Sequence, residues 1–229
     1  MGEGGGGGLP SAMDDLEGAA AEGEREDERL EVRISGSGGQ GILLAAAVLA
    51  DAVAAAGREV VQTQSYGPEA RGGASQAEVI AATEPIDYPE VDLADISLCL
   101  SQAAFDRYGR QTRPGGLLLY DGDLVDEGDV AGFRLLGLPF TRTATSDVGN
   151  KVVTNIVALG ALTAFIPWLT MPVVGEAVAA RVPERFRDLD LRALEAGRRL
   201  VEQGEARVSR SDTSAGPDLE ACEPCGDER

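Results

Sequence analysis

A three-layer α/β/α domain, with a mostly parallel or mixed sheet and a helical C-terminal part, is the fold class that this 229-residue sequence predicts. Three observations predict it. The composition is 43% apolar with only 4% aromatic residues and 30 glycines, which suits a core of Ala, Val and Leu and argues against an aromatic-rich β-sandwich. The first periodic stretch runs strand, glycine loop, helix, strand. Strand-like runs then fill the first part of the chain, and helical periods fill its end.

Residues 31–35 alternate as Glu-Val-Arg-Ile-Ser and read as a strand, followed by a glycine loop over 36–41. An Ala- and Leu-rich helix over 42–56 stops at Gly57. A second strand covers 59–64. Residues 65–73 are a loop, marked by Gly67-Pro68 and Gly72-Gly73. A third strand covers 76–82, and the apolar run 94–100 is of central-strand type. A short helix over 102–108 precedes a strand over 116–120, introduced by the turn Pro114-Gly115-Gly116, and a last strand over 133–138. From Ser146 the period is helical up to Phe165, before Pro167, and further helices are expected over 174–181 and 191–202.

The net charge is −19, and 11 of those excess negative charges fall in residues 1–30 and 203–229. Both segments lack an apolar period, and the first contains the run Gly4 to Gly8. They are expected to be a disordered acidic leader and tail around one domain over 31–202. Such a field repels phosphate backbones and excludes broad nucleic-acid binding. No apolar run reaches 18 residues and no signal peptide opens the chain, so a soluble, cytoplasmic protein without membrane contact is expected. Lys151 is the only lysine. Coding bias and a salt-loaded cytoplasm both account for an arginine-rich, acidic chain, and composition does not separate them.

Gly36, Gly38 and Gly41, with Gly39 and Gln40 between them, satisfy G-x-G-x-x-G between a strand and a helix. In a dinucleotide fold such glycines permit the tight turn and the approach of pyrophosphate to a helix N-terminus. A nicotinamide or flavin reader also needs an acid at the end of the second strand. That end reads Gln62-Thr63-Gln64, while Glu59 lies at the opposite end. The loop therefore serves a phosphate-bearing ligand, a loop of a partner subunit, or only the tight turn itself. The second loop combines Ser65, Tyr66, Gly67, Pro68, Glu69, Arg71, Gly72 and Gly73: a rigid turn, a carboxylate, a guanidinium and paired glycines. In an open parallel sheet it emerges beside the first, at the carboxyl edge where ligands gather. Glu69 and Arg71 read as a pair with each other or with a partner, and Tyr66 as a stacking or packing group. Asn150 and Lys151 open the long helix, either as a cap or in contact with the glycine loop. Asn155 lies one turn on.

G-x-G-G-Q-G at 36–41 followed by S-Y-G-P-E-x-R-G-G-x-S at 65–75 resembles the gamma subunit of the 2-oxoacid:ferredoxin oxidoreductases, the pyruvate, 2-oxoglutarate, ketoisovalerate and indolepyruvate enzymes. Pro85-Ile86, Ser101-Gln102-Ala103-Ala104-Phe105, Gly149-Asn150-Lys151, Asn155 and 158–162 continue the match in order. The likeness spans about 31–202. The leader and tail have no counterpart in the family, and Asp190 stands where members often have Asn.

The resemblance implies a subunit of a complex that oxidatively decarboxylates a 2-oxoacid to an acyl-CoA and passes electrons to ferredoxin. Thiamine diphosphate and iron–sulfur clusters belong to the alpha, beta or delta parts. The gamma part completes the complex, contributes to the approach of coenzyme A and substrate, and has no activity alone. The residues agree: there is no histidine, no GDG-type diphosphate–metal motif and no cluster of four cysteines. Cys222 and Cys225 form one C-x-x-C without a second pair, too few thiolates for a tetrahedral site within one chain. Cys99 reads as a small core hydrophobe. A free-standing phosphate- or nucleotide-binding protein using the same two loops is the alternative.

Overall fold

All six strands read from the sequence form, and they join one sheet. The computed structural model of the chain describes residues 29–66, 74–128, 130, 132–204 and 207–209. The strands are β1 (Arg29–Ser37), β2 (Glu59–Tyr66), β3 (Ala74–Ala82), β4 (Ala94–Cys99), β5 (Thr112–Asp121) and β6 (Arg134–Leu138). A seventh, β7 (Arg207–Ser209), pairs antiparallel with β6, giving the order β2-β3-β1-β4-β5-β6-β7. This strand falls inside the segment expected to be a disordered tail. An edge strand needs only backbone pairing, so it leaves no apolar period to read.

The sheet is mixed. β1, β4, β5 and β6 run parallel, while β3 is antiparallel to both β1 and β2. The second strand is therefore not the neighbour of the first. β2 and β3 form a hairpin, and β3 inserts between them. Because β2 keeps the direction of β1, the carboxyl ends of β1, β2, β4, β5 and β6 still share one edge.

Side chains alternate across the sheet and define two unequal layers. Ile34, Leu98, Leu119 and Leu138 enter the main core, beneath α1 (Ile42–Ala55), α4 (Thr154–Thr163), α5 (Met171–Arg181) and α6 (Arg187–Glu202). Cys99, Leu118, Tyr120 and Leu135 face the thinner side, where α2 (Gln102–Tyr108) sets Phe105 edge-on to Tyr120 at 5.4 Å. Arg33 is buried on this side too. It pairs with Glu78 at 2.8 Å and donates to the carbonyls of Gln111 and Val91, so its donors are satisfied and two connections are tied to the sheet.

The helical layer is built on one unusually close crossing. All ten residues of α4 are buried. A Cβ on Gly197 of α6 would lie 1.7 Å from the Val157 carbonyl oxygen, and one on Gly160 of α4 would lie 2.0 Å from that of Leu194. The two backbones touch, which only glycine allows. Among the described residues no helix is long and apolar enough to cross a membrane.

Two sequence expectations are corrected here, and one helix is added. The helix expected over 146–165 is shorter, with only α4 forming within it. α3 (Phe140–Ser146) ends where the long helix was to begin, Gly149 turns with φ +88°, and α4 starts at Thr154 after a 3-10 turn at Lys151–Val153. α3 escaped notice because its sequence is rich in threonine, a weak helix former. Finally, the Pro114-Gly115-Gly116 turn lies within β5. The strand starts at Thr112, and its register against β4 shifts between Ala94 and Ile96 while Gly115 adopts φ +76°.

Candidate functional site at the carboxyl edge

β1 delivers the glycine loop to the sheet's carboxyl edge, and the loop is braced by two amide side chains. The Ser37 N–H donates to Gln40 Oε1 at 2.6 Å, and Gln40 Nε2 donates to the Leu100 carbonyl at 2.8 Å. Gln40 is thus turned inward, stitching the loop to the end of β4. At the other end, Gly41 caps α1 with φ +71° and its carbonyl accepts the Ala45 N–H. The same carbonyl accepts Asn155 Nδ2 at 3.0 Å, a contact spanning 114 residues. A Cβ on Gly41 would stand 2.5 Å from that nitrogen, so the Asn155 amide occupies the space a side chain would need.

The expected cluster of Asn150, Lys151 and Asn155 is divided. Asn155 is buried against the glycine loop. Asn150 caps the 3-10 turn by accepting the Val152 N–H at 3.0 Å, and Lys151 is exposed. Capping is therefore the role of Asn150, and contact with the loop belongs to Asn155. The same turn lifts Val152 into solvent at 81% exposure.

The ends of the second loop lie beside the first. Its two ends are fixed by pairing of Tyr66 with Ser75 and of Ala74 with Ser37, and Ser75 Oγ donates to the Gly36 carbonyl at 3.3 Å. Buried Tyr108 donates to the Ala74 carbonyl at 3.3 Å and anchors the start of β3. Ser65 is exposed at the end of β2. Gly67, Pro68, Glu69, Arg71, Gly72 and Gly73 lie outside the described residues. The described ends of this loop lie at the same edge as the glycine loop, and a hairpin, not a parallel crossover, brings them there.

A third element of the edge was missed. Asp121 ends β5 fully buried, accepts the Thr141 hydroxyl at 2.6 Å and accepts the N–H groups of Asp123 and Thr141. Asp123 in turn accepts the Arg142 N–H at 2.7 Å. The two carboxylates hold the first turn of α3, which explains a helix that its propensity does not. Burial pushes the Asp121 carboxyl above its ordinary range, against hydrogen bonds from Thr141 and Asp123 that pull it down. The signal was Asp-Gly-Asp at the end of an apolar strand, with a threonine three residues beyond the next.

For an iron–sulfur cluster the described donor set does not fit: it contains no grouping of three metal-ligating side chains. Cys99 is buried at the end of β4, and desolvation pushes its thiol up to about 12, the state of a packing residue and not of a ligand or nucleophile. The C-x-x-C of Cys222 and Cys225 lies outside the described residues.

Known proteins resemble this chain in sequence and in fold. The family described as pyruvate ferredoxin/flavodoxin oxidoreductase matches residues 31–200. The 2-oxoglutarate synthase subunit KorC of Methanocaldococcus jannaschii is 43% identical over 181 residues, covering 76% of this chain and 95% of that one. The ketoisovalerate oxidoreductase subunit VorA of Methanothermobacter marburgensis is 31% identical over 75% of this chain but only 36% of its own length. Among solved structures, the keto/oxoacid ferredoxin oxidoreductase gamma subunit of Geobacter sulfurreducens aligns with a TM-score of 0.71 at 40% identity, covering 77% of this chain and 98% of that one. The chain belongs to the pyruvate ferredoxin/flavodoxin oxidoreductase family and is a gamma subunit of a multisubunit 2-oxoacid:ferredoxin oxidoreductase.

Proposed function

We propose that this gamma subunit completes the complex by presenting its carboxyl edge, with the loops at 36–41 and 65–75, to the alpha and beta subunits. The carrying observation is the bracing of the first loop. Gln40 and Asn155 spend their amides on backbone groups of the loop and of Leu100 at the end of β4, leaving Gly38 and Gly39 exposed at the edge. A loop held this firmly and offered outward suits docking onto a neighbouring surface. Thiamine diphosphate and the iron–sulfur clusters reside on the partner chains, and ferredoxin is reached through them in the cytoplasm. The 2-oxoacid is 2-oxoglutarate, a reading supported by KorC subunits at 43%, 41% and 42% identity against 31% for VorA.

Co-expression with the large subunits tests the reading. The expected result is a stable complex that carries thiamine diphosphate and iron–sulfur absorption and reduces ferredoxin with 2-oxoglutarate and coenzyme A, while the chain alone shows no visible cofactor bands. A chain that purifies alone, ignores the large subunits and binds a nucleotide tightly would instead support a free-standing binding protein. Turnover with pyruvate but not 2-oxoglutarate would overturn the substrate reading alone.

A further inference from the structure

Each glycine in a tight loop has a reason, and the reason can be internal or external. Gly36 has an internal one: a Cβ there would stand 2.7 Å from both Gln40 Oε1 and Ile42 Cδ1, and that oxygen is held by the Ser37 N–H. Gly39 and Gly41 adopt φ of +89° and +71°, where any side chain is strained. Gly38 has no such reason. Its φ lies outside the left-handed region and, among the described residues, a Cβ would meet nothing within 4 Å. Among the described glycines it is the one that combines both properties. A glycine that the fold does not require is a cost, because it enlarges the entropy of the unfolded chain.

We propose, resting on the subunit reading above, that Gly38 is a close-contact point of the assembled enzyme, where the backbone of a partner subunit packs directly on this chain. The space a side chain would fill is taken by the neighbour. A protein surface fits better than an enclosed small molecule. Gly38 and Gly39 are exposed, neither has an atom of the described residues within 4 Å of its Cβ position, and the loop's amide side chain points inward. In VorA the matching region is about a third of a longer polypeptide, so there the same domain is covalently joined to further protein.

A graded series of Gly38→Ala, Gly38→Val and Gly38→Leu separates the two kinds of reason. Melting of the isolated chain should be unchanged, or raised by about 1–4 °C for Gly38→Ala. Assembly with the large subunits, followed by titration calorimetry or size exclusion, should weaken by at least about tenfold with Ala, the effect of overpacking a close contact. It should be lost with Leu, and turnover should fall in step. A folded Gly38→Leu chain that assembles with wild-type affinity overturns the proposal. So does a marked drop in melting temperature, which would reveal an internal role. Unchanged assembly with a raised KM for coenzyme A would assign the contact to a small molecule and overturn it likewise. Wild-type chain that fails to assemble would remove the subunit reading first, and this proposal with it.

Discussion

Replacing Gly197 with alanine tests the helical layer that carries the site. The new Cβ would stand 1.7 Å from the Val157 carbonyl oxygen, 2.7 Å from its carbon and 3.0 Å from the Ala161 nitrogen. All three are backbone atoms of α4, so no rotamer change relieves the overlap, and the helices must part by more than an ångström. Alanine returns about 1 kcal/mol of helix propensity over glycine. Overpacking costs about 1–3 kcal/mol and occasionally more, and a clash against a buried helix backbone belongs at the upper end. A net loss of about 2 kcal/mol follows, or roughly 4–8 °C in thermal midpoint for a domain of this size. Gly175→Ala supplies the control on α5, since its Cβ would lie 3.4 Å from the flexible end of Leu191. It should be neutral or stabilising. The measurement is paired calorimetric melts of the two variants. A Gly197→Ala chain that melts at or above wild type would refute the backbone contact between α4 and α6.

The remaining predictions reach other parts of the molecule. Asp190 is buried in α6, and burial raises its pKa above the ordinary 3.8. A carboxyl whose folded pKa exceeds its unfolded one makes the native state bind more protons, so it lowers stability as pH rises through that window. Asp190→Asn should therefore be more stable than wild type at pH 7, with the gain shrinking towards pH 4 in denaturant melts; a constant gap would show that charge is not the cause. Arg71→Ala should leave the isolated chain's circular dichroism unchanged while weakening assembly by about 2 kcal/mol if the residue is central to the interface, or less than about 1 kcal/mol at its rim. Wild-type assembly and turnover would reduce its loop to a plain connector. Deleting residues 1–28 should change stability by no more than about 0.5 kcal/mol, and a larger drop in a urea melt would show that the segment docks on the domain.

The strands were legible because alternation, or an unbroken apolar run such as 94–100, reports burial against the sheet's faces. Their neighbours were less so. The β2–β3 hairpin had a signal in its length, since the seven residues 67–73 are too few for a parallel crossover. The glycine pattern at 36–41 pulled the reading towards a parallel unit instead. α3 was illegible from local propensity because Asp121 and Asp123 stabilise it from another element. In the candidate site, the loop itself could be found by motif, but the work of its residues could not. Gln40 bonds to a carbonyl 60 residues away, and Asn155 to one 114 residues away. Contacts of that separation leave no period in a single sequence.

The architecture also suggests why a docking subunit invests in rigidity. Association costs translational freedom and the ordering of loops, and a surface already held in its docking shape avoids the second cost. Here that shape is held through a chain of contacts that can be followed residue by residue. α6 meets α4 backbone to backbone at Gly197 and Gly160, and α4 has no exposed face on which to shift. Its second residue, Asn155, grips Gly41, and Gly41 sets the direction in which the loop turns into α1. Loosening the helix crossing should therefore act at a distance on docking. In Gly197→Ala, assembly should weaken by more than the loss of folded chain accounts for, even at temperatures where the variant remains fully folded. Titration of folded variant against the large subunits measures this directly. An affinity equal to wild type would mean that the loop keeps its shape without α4, and that the Asn155 contact follows the loop's conformation and does not set it.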